Sequence, residues 1–285
     1  MKQRTHFLIS QTMQDVDHLR AHMADRLAQD RTIRSEAIKR AFGRVPRHAF
    51  VPGASIEAAY EDRAIVIKAE GGVTLSSASQ PAIVGTMLEQ LDVSEGMAVL
   101  EVGTGSGYNA ALVAEIVGSS GRVVTIEIDP DVAEQARRNL RAIGYEQVHV
   151  LVGDAFAGCA EEAPYERVIV TTGVPDLSLA WIEQLSEGGI IVAPIRLNSL
   201  QLSAALVKLD AHRLVSKSLY GCGFSPIRGE WAKAEPPVVL SPEIEKVQRI
   251  WQAQRWKEFD DFSVVAERSP NETASRHFTF SVEPR

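Results

Sequence analysis

The residues best suited to chemistry follow a short apolar run near the middle of the chain. Residues 99–102 are typical of a buried strand and lead directly into a turn with glycine at alternate positions, Gly103, Gly105 and Gly107. Glycine tolerates positive φ and lets a ligand approach the backbone closely. A helix expected to begin at Tyr108 would add free N–H groups and a partial positive charge. The turn therefore predicts a site for a nucleotide-like cofactor.

Acidic side chains around this turn discriminate between cofactors. Glu127, about twenty positions later, suits a ribose in any of them, and residues 105–110 fit a loose dinucleotide pattern, which keeps a nicotinamide or flavin open. Glu101 would repel a pyrophosphate but suits a cationic sulfonium with an amino acid tail. Asp154 suits the amino group of adenine, with a helix cap as its alternative. Together the three acids predict an S-adenosylmethionine-dependent methyltransferase.

Strand-like and helical segments alternate around the glycine turn. The pattern predicts an α/β fold with a doubly wound, mainly parallel sheet, similar to a Rossmann fold and preceded by amino-terminal helices. Two later strand-like runs, 201–209 and 213–220, are expected to add antiparallel strands at one edge. Predicted strands cover 97–102, 122–128, 148–152, 167–171 and 189–194, and predicted helices cover 11–42, 81–91, 108–117, 130–143 and 176–185.

A change of composition near Glu230 divides the chain. Residues 1–229 are expected to form the methyltransferase domain, and residues 230–285 a carboxy-terminal extension that is a candidate substrate-binding segment. Within the extension, a helix is predicted around 242–256, with strands near 262–265 and 277–282.

Composition narrows the classes of partner. A formal net charge of −7 gives no overall basic field for nucleic acid. Two distant cysteines lack metal-ligand spacing, and no run approaches the ~20 apolar residues of a membrane span. We therefore expect a cytoplasmic protein without a metal, a membrane or a nucleic-acid partner. A non-catalytic binding module on the same scaffold stays as an alternative, and nothing in the sequence predicts an oligomeric state.

Several segments together resemble the protein-L-isoaspartate O-methyltransferase family. The similarity spans roughly residues 11–229 and implies that family's class I methyltransferase fold. It also implies methyl transfer from S-adenosylmethionine to a carboxylate oxygen of an altered or reactive aspartyl residue. The segments that carry it are 45–52, 59–62, 100–108, 163–171, 188–194 and 224–227.

The resemblance also implies site residues. A serine two places before a proline lies beside the methyl group and the substrate carboxylate in this family, and the matching residue here is Ser79, for which a helix cap is the alternative. The residues expected to bind the cofactor are Glu101, Gly103, Thr104, Gly105, Gly107, Glu127, Asp154, Ala155 and Thr171.

Three departures from the family pattern bear on the substrate. Ala82 stands where the family usually has histidine, residues 76–79 are rich in serine, and the extension follows residue 229. This combination resembles divergent members that methylate a normal aspartate of a macrocyclic, ribosomally made peptide, whose ester then forms an aspartimide. The sequence alone therefore favours that substrate, with repair of isoaspartyl residues in damaged proteins as the alternative.

Overall fold

A computed structural model describes residues 2–197, 200–229, 232, 262–268 and 278–284. Its helices are α1 (Lys2–Gln29), α2 (Glu36–Arg44), α3 (Ile56–Ala59), α4 (Pro81–Leu91), α5 (Tyr108–Val117), α6 (Pro130–Ala142) and α7 (Leu179–Gln184). Its strands are β1 (Ile65–Glu70), β2 (Val73–Ala78), β3 (Ala98–Val102), β4 (Arg122–Glu127), β5 (His149–Val152), β6 (Tyr165–Val170), β7 (Leu185–Leu197), β8 (Leu200–Lys208), β9 (Arg213–Gly221), β10 (Phe262–Glu267) and β11 (Thr279–Pro284).

A central sheet organises the described part of the chain, with strand order β11-β10-β9-β8-β7-β6-β3-β4-β5. Strands β3 to β7 pair in parallel, and β8 to β11 add antiparallel pairs at one edge. The predicted class I methyltransferase fold is confirmed. After β5 the chain returns to the other side of β3, and ligands bind at such a switch point, beyond the carboxyl ends of the strands.

Apolar side chains cover both faces of this sheet. On one face α1, α2, α4 and α5 bury Phe42, Leu88 and Leu112 against the strands. On the other face Trp181 of α7 packs in a cluster that includes Phe280 of β11. Because both faces are buried, the central strands carry nearly continuous apolar residues, the pattern that made them predictable.

The amino-terminal region departs from the single predicted helical stretch 11–42. The first helix already begins at Lys2, and the chain breaks between α1 and α2, where Arg31 adopts a φ of 56°. Ile33 is buried at this break, and its amide is hydrogen-bonded to the carbonyl of Leu27. An apolar contact therefore interrupts the helix where neither glycine nor proline does. No helix in the described ranges is long and apolar enough to cross a membrane.

The described part of the extension continues the main sheet. Strand β10 pairs with β9, placing Val265 opposite Val215, and the amide of Phe278 donates to the buried carboxylate of Asp176 at 3.2 Å. Asp176 also accepts from the next amide, and α7 starts at Leu179 rather than at the predicted residue 176. The helix predicted at 242–256 lies outside the described residues, and the division at residue 229 stays a prediction.

Candidate active site

A cleft of about 370 Å³ opens at the carboxyl ends of β3, β4 and β6. This volume falls within the ~300–1,000 Å³ typical of ligand sites. The β1–β2 hairpin, helix α4 and the segment 223–228 after β9 supply further walls. Of the residues predicted for the site, those that line the cleft are Ser79, Glu101, Gly103, Thr104, Gly105, Glu127, Ala155 and Thr171.

The glycine turn brings backbone rather than side chains to the cleft. Gly103 has a φ of 94° and Gly105 a φ of 51°. A Cβ at Gly103 would lie 2.8 Å from Oγ1 of Thr171, whose hydroxyl donates to the Gly103 carbonyl at 2.7 Å. Gly107 does not line the cleft: it is the N-cap of α5, and a Cβ there would meet Leu140 of α6 at 3.3 Å. Its φ of 87° and its contact with α6 both favour glycine at this position.

Glu101 is a fully buried carboxylate at the end of β3. It accepts hydrogen bonds from Nδ2 of Asn109 at 2.7 Å and from Oγ1 of Thr125 at 2.6 Å. The hydroxyl of Thr104 lies 2.7 Å from that of Thr125 and extends the chain of hydrogen bonds. Burial nevertheless raises the pKa of Glu101 to about 7, against the opposing effect of the two donors. The carboxylate therefore lacks a countercharge, which a bound cation would provide.

Glu127 ends the neighbouring strand β4 and is almost completely buried. It accepts from the amides of Gly105 at 3.0 Å and Asp129 at 3.1 Å. Arg228 reaches it from the segment after β9, with 3.4 Å between Nη2 and Oε1. The ammonium of Lys68, 2.7 Å from Oδ2 of Asp129, lowers the pKa of that carboxyl. Basic side chains from two walls of the cleft thus meet the acidic end of β4.

Asp154 lies next to the cleft rather than in its lining. Its carboxylate accepts from the amide of Phe156 at 3.0 Å and caps the short 3₁₀ helix Ala155–Ala157. The backbone of Gly229 packs directly against the same carboxylate. The side chain therefore caps this short helix, Ala155 supplies the lining at this position, and cofactor binding by Asp154 stays a prediction.

Ser79 lines the end of the cleft formed by β2. It does not cap helix α4, because Gln80 is the N-cap and Pro81 the first helical residue. The helix start is instead held by Asp62, which accepts from the amide of Ala82 at 2.8 Å and from Nε2 of Gln80 at 2.9 Å. The Ser79 side chain is therefore not used as the cap that its sequence position also allowed.

Comparisons with known proteins agree with this geometry. The sequence profile described as protein-L-isoaspartate(D-aspartate) O-methyltransferase matches residues 18–232. The chain belongs to this family. It is 42% identical over 217 residues to protein-L-isoaspartate O-methyltransferase 2 of Archaeoglobus fulgidus, covering 76% of this chain and 96% of that protein. It is 43% identical over 232 residues to the enzyme of the same family name from Hyperthermus butylicus, covering 78% and 94%.

A solved structure of a protein-L-isoaspartate O-methyltransferase is also similar. It superposes with a TM-score of 0.71 and 28% identity, covering 92% of this chain and 87% of that one. As a member of the family, the chain is an S-adenosylmethionine-dependent carboxyl O-methyltransferase.

The cleft fits that cofactor. Oδ1 of Asn109 is buried and has no hydrogen-bond partner among the described residues, so it offers an acceptor to a ligand N–H group. It lies on the residue that also donates to Glu101. A buried carboxylate without countercharge and an unused acceptor suit an ammonium group, and Glu127 has acceptor oxygens for hydroxyl groups. Sequence reasoning missed Asn109, in the helix that follows the glycine turn, and Thr125, which lies opposite Glu101 on the neighbouring strand β4.

Proposed function

We propose that this protein methylates the free carboxylate of isoaspartyl residues in peptides or proteins. Membership of the family over nearly the whole length of the two archaeal relatives supports this substrate. The observation that carries the proposal is one continuous cleft. Its lining includes Ser79 and the buried acids Glu101 and Glu127.

The reaction needs little acid–base chemistry from the protein. A carboxylate with a pKa near 4 is ionised at neutral pH, so no general base has to remove a proton. When bound, S-adenosylmethionine supplies a methyl group on a positively charged sulfur. Glu101 and Asn109 hold the amino acid end, and Glu127 holds the ribose. Ser79 donates a hydrogen bond that orients the substrate carboxylate, so the residues contribute mainly position.

Of the three features that favoured a normal aspartate in a macrocyclic peptide, the serine-rich segment 76–79 lines the cleft, whereas Ala82 and the described strands of the extension do not. Ala82 is not part of the cleft lining, and its amide is bonded to Asp62. Strands β10 and β11 lie beyond β9, separated from β6 by β7, β8 and β9. The comparisons therefore support the isoaspartyl substrate better than the aspartyl one.

Radiolabelled S-adenosylmethionine and an isoaspartyl peptide test this proposal, with the aspartyl peptide of the same sequence as the matched control. We expect label in the isoaspartyl peptide and background in its control. Label in the aspartyl peptide alone would overturn the proposed substrate.

Replacing the serine tests the proposed mechanism. We expect Ser79→Ala to lower kcat/KM for the isoaspartyl peptide about 10- to 100-fold, because a hydrogen bond to a charged group contributes about 1.5–3 kcal/mol. Cofactor affinity measured by calorimetry should not change. Ser119→Ala, at an exposed serine in the turn after α5, is the control. Unchanged turnover in Ser79→Ala would contradict the assigned role.

A further inference from the structure

Arg47 is a fully buried cation that lies beside Ser79. Among the described residues, no carboxylate lies within ion-pair distance of it. Its guanidinium donates instead to four backbone carbonyl groups. These are Ala59 at 2.6 Å, Ser79 at 2.9 Å, Arg63 at 3.1 Å and Ala78 at 3.4 Å.

Burying a charged guanidinium in this way costs free energy. A buried guanidinium without a paired carboxylate loses several kcal/mol of hydration, and burial accordingly lowers the pKa of Arg47. Its Nε is also buried without a hydrogen-bond partner within the described ranges. Hydrogen bonds to four carbonyl groups offset part of this cost and tie residues 59, 63, 78 and 79 to one cation. The cation therefore holds together backbone segments that are separate in the sequence.

The guanidinium contacts two segments that line the cleft. On one side it holds the carbonyls of Ala78 and Ser79, and on the other its Cζ lies 5.7 Å from the ring centroid of Tyr108. Tyr108 is the first residue of α5, directly after the glycine turn. Its ring also packs edge-on against Phe50. Arg47 thus connects the backbone at Ala78 and Ser79 to helix α5, which follows the glycine turn.

Asp62 holds the same segment on its other side. It accepts from the amide of Ala82 and from the side chain of Gln80, and its charge favours the charged form of Arg47. The hydroxyl of Ser79 has no hydrogen-bond partner in the part of the chain that the structure describes. Its position is therefore set by the backbone that these two charged side chains hold.

We propose that Arg47 and Asp62 are positioning residues that fix Ser79 relative to the glycine turn. The guanidinium of Arg47 binds the carbonyls of Ala78 and Ser79, which precede helix α4. The carboxylate of Asp62 accepts from the amide of Ala82, the second residue of that helix. This inference rests on the proposed function for the role of Ser79. Loosening either side should displace the hydroxyl without removing any group that binds the cofactor.

The test compares Arg47→Lys with Lys208→Met. Lysine keeps the charge at position 47 but cannot reach the same set of carbonyls. Lys208 is a matched control because it is also a buried cation and, among the described residues, donates only to carbonyls, those of Ile182 and Leu185. It is also absent from the cleft lining. Asp62→Ala is the second variant, which keeps the proposal testable if Arg47→Lys does not fold.

Steady-state kinetics, amide hydrogen exchange and thermal melting of each variant separate an effect on positioning from an effect on stability. We expect Arg47→Lys and Asp62→Ala to lower kcat about 10- to 100-fold, because small displacements from the reacting geometry cost up to about 100-fold. The KM for S-adenosylmethionine should stay unchanged. Amide hydrogen exchange in residues 77–82, measured without peptide, should become faster in both variants. Lys208→Met should lower the melting temperature while leaving kcat and this local exchange as in the wild type.

Local exchange decides the inference independently of the substrate. If residues 77–82 exchange as slowly in Arg47→Lys and Asp62→Ala as in the wild type, Arg47 and Asp62 do not hold this segment, whatever peptide is methylated. If exchange becomes faster but kcat on the accepted peptide is unchanged, the two residues do not position a catalytic group. A wild-type enzyme that ignores isoaspartyl peptides would overturn the proposed function while leaving the exchange result to stand by itself.

Discussion

Replacing Glu101 with glutamine should stabilise the cofactor-free protein at alkaline pH and abolish cofactor binding. Burial raises the pKa of this carboxyl from its ordinary 4.5 to about 7. Glutamine is nearly isosteric, can accept from Thr125, and can donate to the unused Oδ1 of Asn109 after rotation of that amide. The variant therefore removes a buried charge without leaving an additional polar atom unpaired.

The magnitude follows from the shift in pKa. The folded protein retains this proton to a higher pH than the unfolded chain, so its stability falls as pH rises from about 4.5 to about 7. At about 1.4 kcal/mol per pKa unit, ionised Glu101 destabilises the fold by about 3 kcal/mol at pH 8, and by less than about 1 kcal/mol at pH 5. The Glu101→Gln variant has no ionisable group at this position, so it is not destabilised in this way at pH 5 or at pH 8.

Urea denaturation of both proteins at pH 5 and pH 8 measures the effect. We expect the variant to gain stability relative to the wild type on going from pH 5 to pH 8, because other carboxyl groups contribute equally to both proteins. Calorimetry at pH 8 should show that the more stable variant no longer binds S-adenosylmethionine. The reasoning is refuted if the difference in stability is independent of pH, or if the variant binds the cofactor as well as the wild type does.

Three further substitutions probe other parts of the structure. Glu127→Ala should weaken cofactor binding about 10- to 100-fold in calorimetry, because a charged acceptor is lost. Gly103→Ala should lower the free energy of unfolding by about 1–3 kcal/mol, because its φ is positive and Thr171 Oγ1 would lie 2.8 Å from the new Cβ. Gly53→Ala, where the Cβ meets open space, is its control. Asp176→Ala should cost about 1–3 kcal/mol by leaving buried amides unpaired, with cofactor affinity retained.

Each of these expectations has an outcome that contradicts it. Equal calorimetric affinity in Glu127→Ala and the wild type would remove that carboxylate from the binding site. Equal denaturation midpoints for Gly103→Ala and Gly53→Ala would show that the turn tolerates a side chain. Loss of cofactor binding in a folded Asp176→Ala protein would show that the attachment of the carboxy-terminal strands affects the cleft.

The parallel core of the fold was predictable because its inner strands are buried on both faces, while the partly exposed edge strand β5 still carries a short apolar run. Residues 122–128 and 148–152 carry apolar runs that nearly match β4 and β5. The β1–β2 hairpin was not predicted. Val66 and Val73 are exposed, residues 74–78 line the cleft, and Ile65 and Ile67 are only partly buried against the core. Its pairing depends on tertiary neighbours that no local pattern shows.

The acids and glycines of the site were predictable by type and spacing, but their individual roles were not. Glu101 and Glu127 line the cleft as expected, whereas Asp154 uses its carboxylate as a cap and Gly107 packs against α6. Arg47 lies in segment 45–52, which resembles the family, but no local pattern marks it as a residue that supports the site. Sequence spacing cannot show that it reaches four carbonyls, because those groups come from segments that converge only in the folded protein.

The most direct test of the central claim is methyl transfer to competing peptides in one mixture. The mixture contains an isoaspartyl peptide, its aspartyl counterpart and a macrocyclic peptide with a normal aspartate, and tandem mass spectrometry locates the added methyl group. We predict a methyl ester on the isoaspartyl carboxylate and none on the other two peptides. An ester on the macrocyclic aspartate, with the isoaspartyl peptide unmodified, would contradict the account.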